Sequence, residues 1–244
     1  MFIDVHCHLD LCKDWEKIVE RAKKADVIMI TQGTRLGSNK KAVEFSEKYK
    51  NVKAALGLYP VEASEMDNNK FEKEIEFIKK NSDKIVAIGE VGLDLKELNS
   101  LEKQHERFKR FIELAIELNK PIIVHSRKAE KEAIEILEKE KARKVIMHCF
   151  NGNMKLVERI VKNGWYLSIP TNVVHSEHFQ NVIKIVDIEK LLCETDSPFL
   201  HPFKERNNEP ANVIESYKKI AEIKGISLKE AEKKIEENYK RLFC

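Results

Sequence analysis

Short hydrophobic, β-branched segments alternate along the chain with longer segments in which apolar and charged residues recur at helical spacing. The short segments predict eight strands, which are Phe2–His6, Asp26–Thr31, Val52–Gly57, Ile85–Glu90, Ile122–His125, Lys144–His148, Trp165–Ile169 and Lys190–Glu194. The longer segments predict helices over Trp15–Lys24, Asn39–Tyr49, Phe71–Lys80, Leu101–Leu118, Lys128–Lys139, Met154–Asn163, Ala211–Lys224 and Leu228–Tyr239. Such alternation is typical of a parallel sheet covered by helices.

The length of the repeat favours one architecture. One strand with its helix takes about 30 residues, the usual size of a β/α unit. Eight such units within 244 residues predict a distorted (β/α)₈ TIM barrel, with an open doubly wound sheet as the alternative. The chain contains no Gly-, Pro- or Ser-rich linker, so we expect a single domain over residues 1–244.

Composition and charge narrow the class of protein. No segment approaches the ~18 consecutive apolar residues of a membrane span, and the first residues do not resemble a signal peptide. We therefore expect a cytoplasmic protein whose five cysteines are free thiols. The net charge of +3 neither requires nor excludes a nucleic-acid partner, and the sequence identifies no protein partner.

Polar residues of one chemical kind follow the predicted strands. Alternate residues of a strand share a face, so Asp4, His6 and His8 point the same way. In a barrel, the carboxyl ends of all strands meet at the face where such enzymes carry their active sites. Six potential metal ligands are predicted there: His6, His8, Glu90, His125, His148 and Asp196.

Each of these residues, taken singly, is compatible with an ordinary structural role. A strand-end histidine is often a hydrogen-bonded core residue, and Asp196, before Ser197 and Pro198, could begin a turn. Taken together, they would bury several costly polar groups unless cations satisfied them. The arrangement therefore predicts a metal centre.

The ligand types indicate the chemistry. Imidazole and carboxylate suit Zn²⁺, Mn²⁺ or Mg²⁺, and alternation turns Cys7 and Cys193 away, so we expect no thiol in the site. Six ligands are too many for one catalytic ion with an open coordination position, which favours two ions. Two neighbouring cations activate water for attack on an electrophile, so the predicted reaction is hydrolysis.

The motifs that carry these residues resemble a known family. Together they are similar to those of the TatD-related metal-dependent deoxyribonucleases of the amidohydrolase superfamily. The similarity covers essentially the whole chain, through Asp4–His8, Gly89–Asp94, Pro121–Arg127, His148–Gly152, Glu194–Pro198, Arg206–Asn212 and Asn238–Phe243.

The resemblance implies a distorted TIM barrel that holds two divalent metal ions. It implies that His6, His8 and Asp196 hold one ion, that His125 and His148 hold the other, and that Glu90 bridges them. Glu90 and Asp196 would be the catalytic carboxylates. The implied substrate is DNA, whose phosphodiesters the family hydrolyses, commonly as a 3′–5′ exonuclease. The family often uses Mg²⁺, but four histidines bind Mn²⁺ or Zn²⁺ more tightly, so the metal stays open.

One position departs from the family pattern. The family usually has Gly-x-His-Pro after the third strand, whereas this chain has Tyr59 in place of the histidine. We expect Tyr59 either to donate a hydrogen bond to a substrate phosphate or to pack at the rim. Arg127 and Arg206 are further candidates for substrate binding, and Asp4 and Glu194 are expected to orient ligand imidazoles.

Two alternatives to a deoxyribonuclease remain open. The same metal centre could hydrolyse a carbonyl ester or amide, as in an esterase, an amidase or an aminoacyl-tRNA deacylase. The chain could instead be a metal-stabilised binding protein without catalysis, although a complete ligand set argues against this.

Overall fold

Eight parallel strands follow one another around the molecule in the order of the sequence. A computed structural model describes residues 1–96, 101–203 and 207–244. Each strand pairs in parallel with the next one, which confirms the barrel and not the doubly wound sheet, whose strand order reverses. The strands are β1 (Phe2–Cys7), β2 (Val27–Gln32), β3 (Val52–Leu56), β4 (Ile85–Asp94), β5 (Ile122–Arg127), β6 (Val145–Met147), β7 (Tyr166–Pro170) and β8 (Leu191–Glu194).

Helices surround these strands. In the described residues they are α1 (Trp15–Lys24), α2 (Leu36–Lys48), α3 (Pro60–Glu65), α4 (Asn68–Lys80), α5 (Leu101–Glu117), α6 (Glu130–Lys139), α7 (Met154–Lys162), α8 (Glu177–Ile185), α9 (Ile214–Lys224) and α10 (Leu228–Phe243). The sequence did not predict α3, which is very short, or α8, whose apolar Val182–Val186 segment resembles a strand. None of the described helices has the length and apolar character needed to cross a bilayer.

Strand β4 is longer than predicted. The expected end was Glu90, but the strand continues to Asp94 and pairs with β5 along its added length. Gly92 permits this, because a Cβ there would lie 2.0 Å from the carbonyl oxygen of His125. The β4–β5 register shifts between Ile88 and Val91. Glu90 therefore lies at an irregular point within the strand, not at its end.

The barrel closes between β1 and β8 without a regular ladder in the described residues. Side chains occupy this seam. The Tyr217 hydroxyl of α9 accepts a hydrogen bond from Ile3 N (3.0 Å) and donates one to Ile3 O (3.2 Å). On the other side, the Asn238 amide of α10 donates to Leu191 O at 2.8 Å. Helices α9 and α10 thus satisfy the edges of both strands.

Asp4 joins the carboxyl ends of the two seam strands. Its Oδ1 accepts from Thr195 N at 2.9 Å and from His6 N at 3.2 Å, while Oδ2 accepts from the Thr195 hydroxyl at 2.6 Å. Just beyond, Asp196 N donates to His6 O at 2.9 Å. The expectation that Asp4 orients an imidazole is wrong, because its carboxylate binds backbone and a hydroxyl. Its function is to align β1 with β8.

Burial raises the pKa of Asp4 to about 8, although the hydrogen bonds from Thr195 and His6 oppose this shift. A carboxyl group so far from water depends on these partners.

We expect Thr195→Val to destabilise the metal-free protein by about 1–3 kcal/mol, because it removes the hydroxyl that Asp4 uses and leaves a buried oxygen unpaired. Urea denaturation would measure this loss. Thr195→Ser, which keeps the hydroxyl, is the matched control and should retain most of the stability. Equal stability of the Val and Ser variants would contradict the assigned function of this contact.

Candidate metal centre

All six predicted ligands meet at the carboxyl ends of the strands. The structure places them in three overlapping groups whose candidate ligand atoms lie within 4.8 Å of one another. They come from five strands or the residues directly after them, so the cluster depends on the closed barrel. The groups are His6, His148 and Asp196; His6, His8 and Glu90; and Glu90, His125 and His148.

The Nε2 atoms of His6 and His8 lie close to an oxygen of Glu90 and to an oxygen of Asp196. The Nε2 atoms of His6 and His8 are 3.2 Å apart. Glu90 Oε2 lies 3.6 and 3.4 Å from them, and Asp196 Oδ1 lies at the same two distances. Tetrahedral ligands at ordinary zinc distances are separated by about 3.3–3.6 Å. The separations of the two nitrogens from each other and from either carboxylate oxygen are therefore suited to a divalent ion.

The other oxygen of Glu90 faces a second set of ligands. Glu90 Oε1 lies 2.8 Å from His125 Nδ1 and 3.8 Å from His148 Nε2. The carboxylate is only 3% exposed and thus has little access to water. Glu90 stands between the two sets and presents one oxygen to each.

Electrostatics keep the carboxylate charged. Burial opposes a charge on Glu90, but hydrogen bonds from His125 and His6 outweigh burial and hold the pKa of Glu90 well below its ordinary value. Burial likewise disfavours a charged His148, yet the neighbouring Glu194 carboxylate raises the pKa of His148 to about 10. The cluster thus attracts positive charge.

His6 differs from the other rings. Burial and the adjacent His148, whose ring is stacked on it at 3.6 Å between centroids, lower the pKa of His6. A neutral imidazole is the form that binds a metal. His6 is therefore ready to act as a ligand at neutral pH.

Glu194 orients His148, as the sequence predicted. Glu194 Oε2 lies 2.8 Å from His148 Nδ1 and accepts a second hydrogen bond from the Ser168 hydroxyl at 2.6 Å. A carboxylate at the far nitrogen fixes the ring and leaves Nε2 toward Glu90. Within the described residues, the Nδ1 atoms of His6 and His8 have no such partner.

Asp94 does the same for His125, and sequence reasoning missed it. Asp94 Oδ2 lies 3.1 Å from His125 Nε2, and Asp94 Oδ1 accepts from Lys96 N at 2.8 Å. Burial opposes its charge, but hydrogen bonds from His125 and Tyr59 lower the pKa of Asp94 to about 2. Strand alternation could have identified Asp94, because residues 90 and 94 share a face of β4. The predicted strand ended at Glu90, however, so Asp94 was not considered.

Tyr59 takes part in this arrangement. Its hydroxyl donates to Asp94 Oδ2 and lies 3.3 Å from His125 Nε2. Because a phenol has one proton, Tyr59 has no second one to donate to a phosphate while this bond is made. The contact supports a positioning function, and the predicted substrate contact of Tyr59 stays a prediction.

A cavity of about 640 Å³ lies above the cluster. Arg127 lines it, as does Arg35, which follows β2 and was not singled out from the sequence. Both are exposed, and neither guanidinium belongs to an ion pair in the part of the chain that the structure describes. Arg206 lies outside the described residues.

A cysteine that the sequence analysis did not consider lines the cavity. Cys7 is buried with its thiol toward Ile30 O, as alternation required, but Cys149 lines the cavity directly after His148. Its backbone has a φ of 41°, and it lies beyond the end of β6, where strand alternation does not apply.

Comparison with known proteins decides the family. A model of the family described as TatD related DNase matches residues 3–244. The chain belongs to this TatD family. The resemblance drawn from the motifs is thereby confirmed, and membership makes the protein a metal-dependent hydrolase acting on ester bonds.

Individual TatD relatives match over almost their full lengths. The chain is 40% identical over 99% of its length to an uncharacterized metal-dependent hydrolase of Methanocaldococcus jannaschii, of which it covers 96%. It is 34% identical over 99% of its length to human deoxyribonuclease TATDN3, of which it covers 94%. The crystal structure of the Escherichia coli TatD homolog YJJV superposes with a TM-score of 0.91 at 26% identity, covering 99% of this chain and 97% of that one.

We expect Asp94→Asn to weaken metal binding about 10- to 100-fold, because the amide is a poorer acceptor for the proton of His125. Tyr59→Phe removes one hydrogen bond and should have the smaller effect, up to about tenfold. Competition with a chromophoric chelator for Co²⁺ or Zn²⁺ would measure both affinities. Wild-type affinity in the Asp94 variant would show that His125 needs no carboxylate partner.

Proposed function

We propose that this protein is a deoxyribonuclease that holds two divalent ions, Mg²⁺, Mn²⁺ or Zn²⁺. His6, His8 and Asp196 would bind one ion, His125 and His148 the other, and Glu90 would bridge them. The observation that carries this proposal is the position of Glu90, whose two oxygens face two different sets of nitrogen ligands. When bound, such ions polarise a phosphoryl oxygen and lower the pKa of water.

Asp196 would accept a proton during hydrolysis, and two arginines would bind the substrate. Asp196 has one oxygen beside the two Nε2 atoms and is the more exposed of the two carboxylates, since its side chain is 16% exposed and that of Glu90 is 3%. It therefore reaches the cavity and is placed to accept a proton from attacking water. Arg127 and Arg35, which line the cavity and form no ion pair with another described residue, are suited to bind the phosphates of the substrate strand.

DNA as the substrate is supported by the family and by human TATDN3, which is named a deoxyribonuclease. Removal of nucleotides from the 3′ end is the activity that the motif resemblance implies. The DNA substrate and the 3′ direction of cleavage are parts of the proposal that the geometry of the site does not determine.

The test is digestion of end-labelled single- and double-stranded DNA after loading with Mg²⁺, Mn²⁺ or Zn²⁺. We expect the 3′ label to be released first, and a chelator to stop the reaction.

Glu90→Gln should lower turnover by more than about a hundredfold, because it removes the negative charge shared by both ligand sets. This loss would exceed the usual effect of removing an outer partner of a metal ligand. Glu62→Gln, an exposed carboxylate at the same cavity, is the matched control and should stay near wild type.

Other outcomes would overturn specific parts of the proposal. Internal cuts would contradict an exonuclease. Intact DNA together with hydrolysis of an aminoacyl ester would show that the site serves a different ester. Wild-type turnover in Glu90→Gln across a metal titration would show that Glu90 does not bridge two ions.

We also expect DNA affinity to decrease with salt on a slope set by a few phosphate contacts, about −0.7 for each contact with a single strand. Arg127→Gln should reduce the slope by about one such contact and weaken binding uniformly across sequences. Arg143→Gln, at an exposed position before β6 and therefore at the opposite end of the barrel, is the control. Filter binding at several salt concentrations would measure the slopes, and an unchanged slope for the Arg127 variant would exclude its phosphate contact.

A further inference from the structure

One wall of the cavity is apolar and has no function in the proposed chemistry. Phe199, in the loop after β8, lines the cavity and is 52% exposed. Its ring lies 6.3 Å from that of His8, between centroids, at an interplanar angle of 68°. A large aromatic side chain thus lies beside the candidate metal centre with about half its surface in water. Burial of this surface would stabilise the protein, so its exposure is unfavourable for folding.

The backbone holds Phe199 in this position. Phe199 N donates to Asp196 O at 2.8 Å, which ties the backbone of Phe199 to that of a candidate metal ligand. The next residue, Leu200, has a φ of 52°, and its carbonyl accepts a hydrogen bond from the Thr171 hydroxyl at 2.8 Å. Asn208, buried below the loop, donates to Thr171 Oγ1 at 2.9 Å. The backbone from Asp196 to Leu200 is therefore held by hydrogen bonds in a conformation that leaves Phe199 exposed.

A second apolar side chain extends the same wall. Leu11, in the loop after β1, is 44% exposed, lines the cavity, and is tied to the cluster through Leu11 N and His8 O at 3.1 Å. Strands β1 and β8 are neighbours, so both residues belong to one side of the mouth. Arg127 is the last residue of β5, which is on the opposite side of an eight-stranded barrel from β1. The cavity thus has an apolar surface beside the candidate metal centre and Arg127 across from it, while Arg35, after β2, lies nearer the apolar surface.

We propose that Phe199 is a stacking surface for the base of a nucleotide adjoining the scissile phosphate, with Leu11 beside it. This inference rests on the proposed function. A nucleotide presents a flat π-face and an anionic phosphate a short distance apart, which matches an aromatic ring next to a metal centre and facing an arginine. Because every base has a π-face, the surface tolerates all four bases, and it is accessible only to a base that is not stacked within a duplex.

The first test is equilibrium binding of two compounds that differ only in the base, deoxyadenosine 5′-monophosphate and 2-deoxyribose 5-phosphate, to the Mn²⁺-loaded protein. We expect the wild type to prefer the nucleotide on the order of 5- to 150-fold, the usual worth of one base–aromatic stack. Phe199→Ala should lose this preference but keep its affinity for the sugar phosphate. Phe199→Leu, which keeps apolar area without a π-face, should lose most of it.

Phe203 provides the matched control. It is 63% exposed in the same segment but does not line the cavity, so Phe203→Ala should retain the preference. Both phenylalanines are exposed, and we expect both alanine variants to unfold at wild-type temperature. Equal wild-type affinity for the two compounds, or an undiminished preference in Phe199→Ala, would overturn the proposal.

The second test uses hydrolysis, which separates this inference from the proposed function. Oligonucleotides with a normal or an abasic 3′-terminal residue should be cut at different rates by the wild type and at similar rates by Phe199→Ala. Failure of the wild type to cut either substrate would refute the proposed function. The binding experiment would still test whether Phe199 stacks on a base. Cleavage of both substrates at the same wild-type rate would refute the stacking surface alone.

Discussion

A carboxylate almost without access to water, with nitrogen ligands on both sides, is the constraint on which the rest of this structure depends. Glu90 keeps its charge only because imidazoles stand at hydrogen-bond or ligand distance from each of its oxygens. Those imidazoles come from β1, β5 and the residue after β6, so the barrel must be closed and correctly registered before the charge is compensated. The closed barrel is therefore required both for a stable fold and for bringing the candidate ligands together.

Three further carboxylates hold the candidate ligands and the strands that carry them in position. Glu194 fixes His148, Asp94 fixes His125, and Asp4 aligns the strands that carry His6 and Asp196. Each is buried and held by hydrogen bonds to hydroxyls or backbone. The two orienting carboxylates occur in the set that contains Glu90 Oε1, whereas alignment by Asp4 serves the other set. The two halves of the centre are thus made rigid in different ways.

The sequence predicted the barrel and the six clustered residues because alternation along a strand fixes which side chains share a face. It placed His6 and His8 together correctly, although the β1–β2 register shifts between Asp4 and Cys7. It failed for the end of β4, because Gly92 lets the strand continue through an irregular register, and Asp94 was overlooked as a result. Cys149 and Arg35 lie in loops, where no periodicity applies. The seam between β1 and β8 depends on Tyr217 and Asn238, whose contacts are made across the whole chain and leave no local pattern.

That seam also has a consequence for biosynthesis. Thr195 and Asp4, which join its two sides, are 191 positions apart in the chain. A polypeptide emerging from the ribosome presents its amino-terminal part first, so β1 with His6 and His8 exists long before β8 and Asp196 have been made. Until β8 has been made, a nascent chain lacks Thr195, which is the partner of Asp4, and Asp196, which is one of the six clustered residues. The cluster of candidate ligands therefore assembles only after β8 has joined β1.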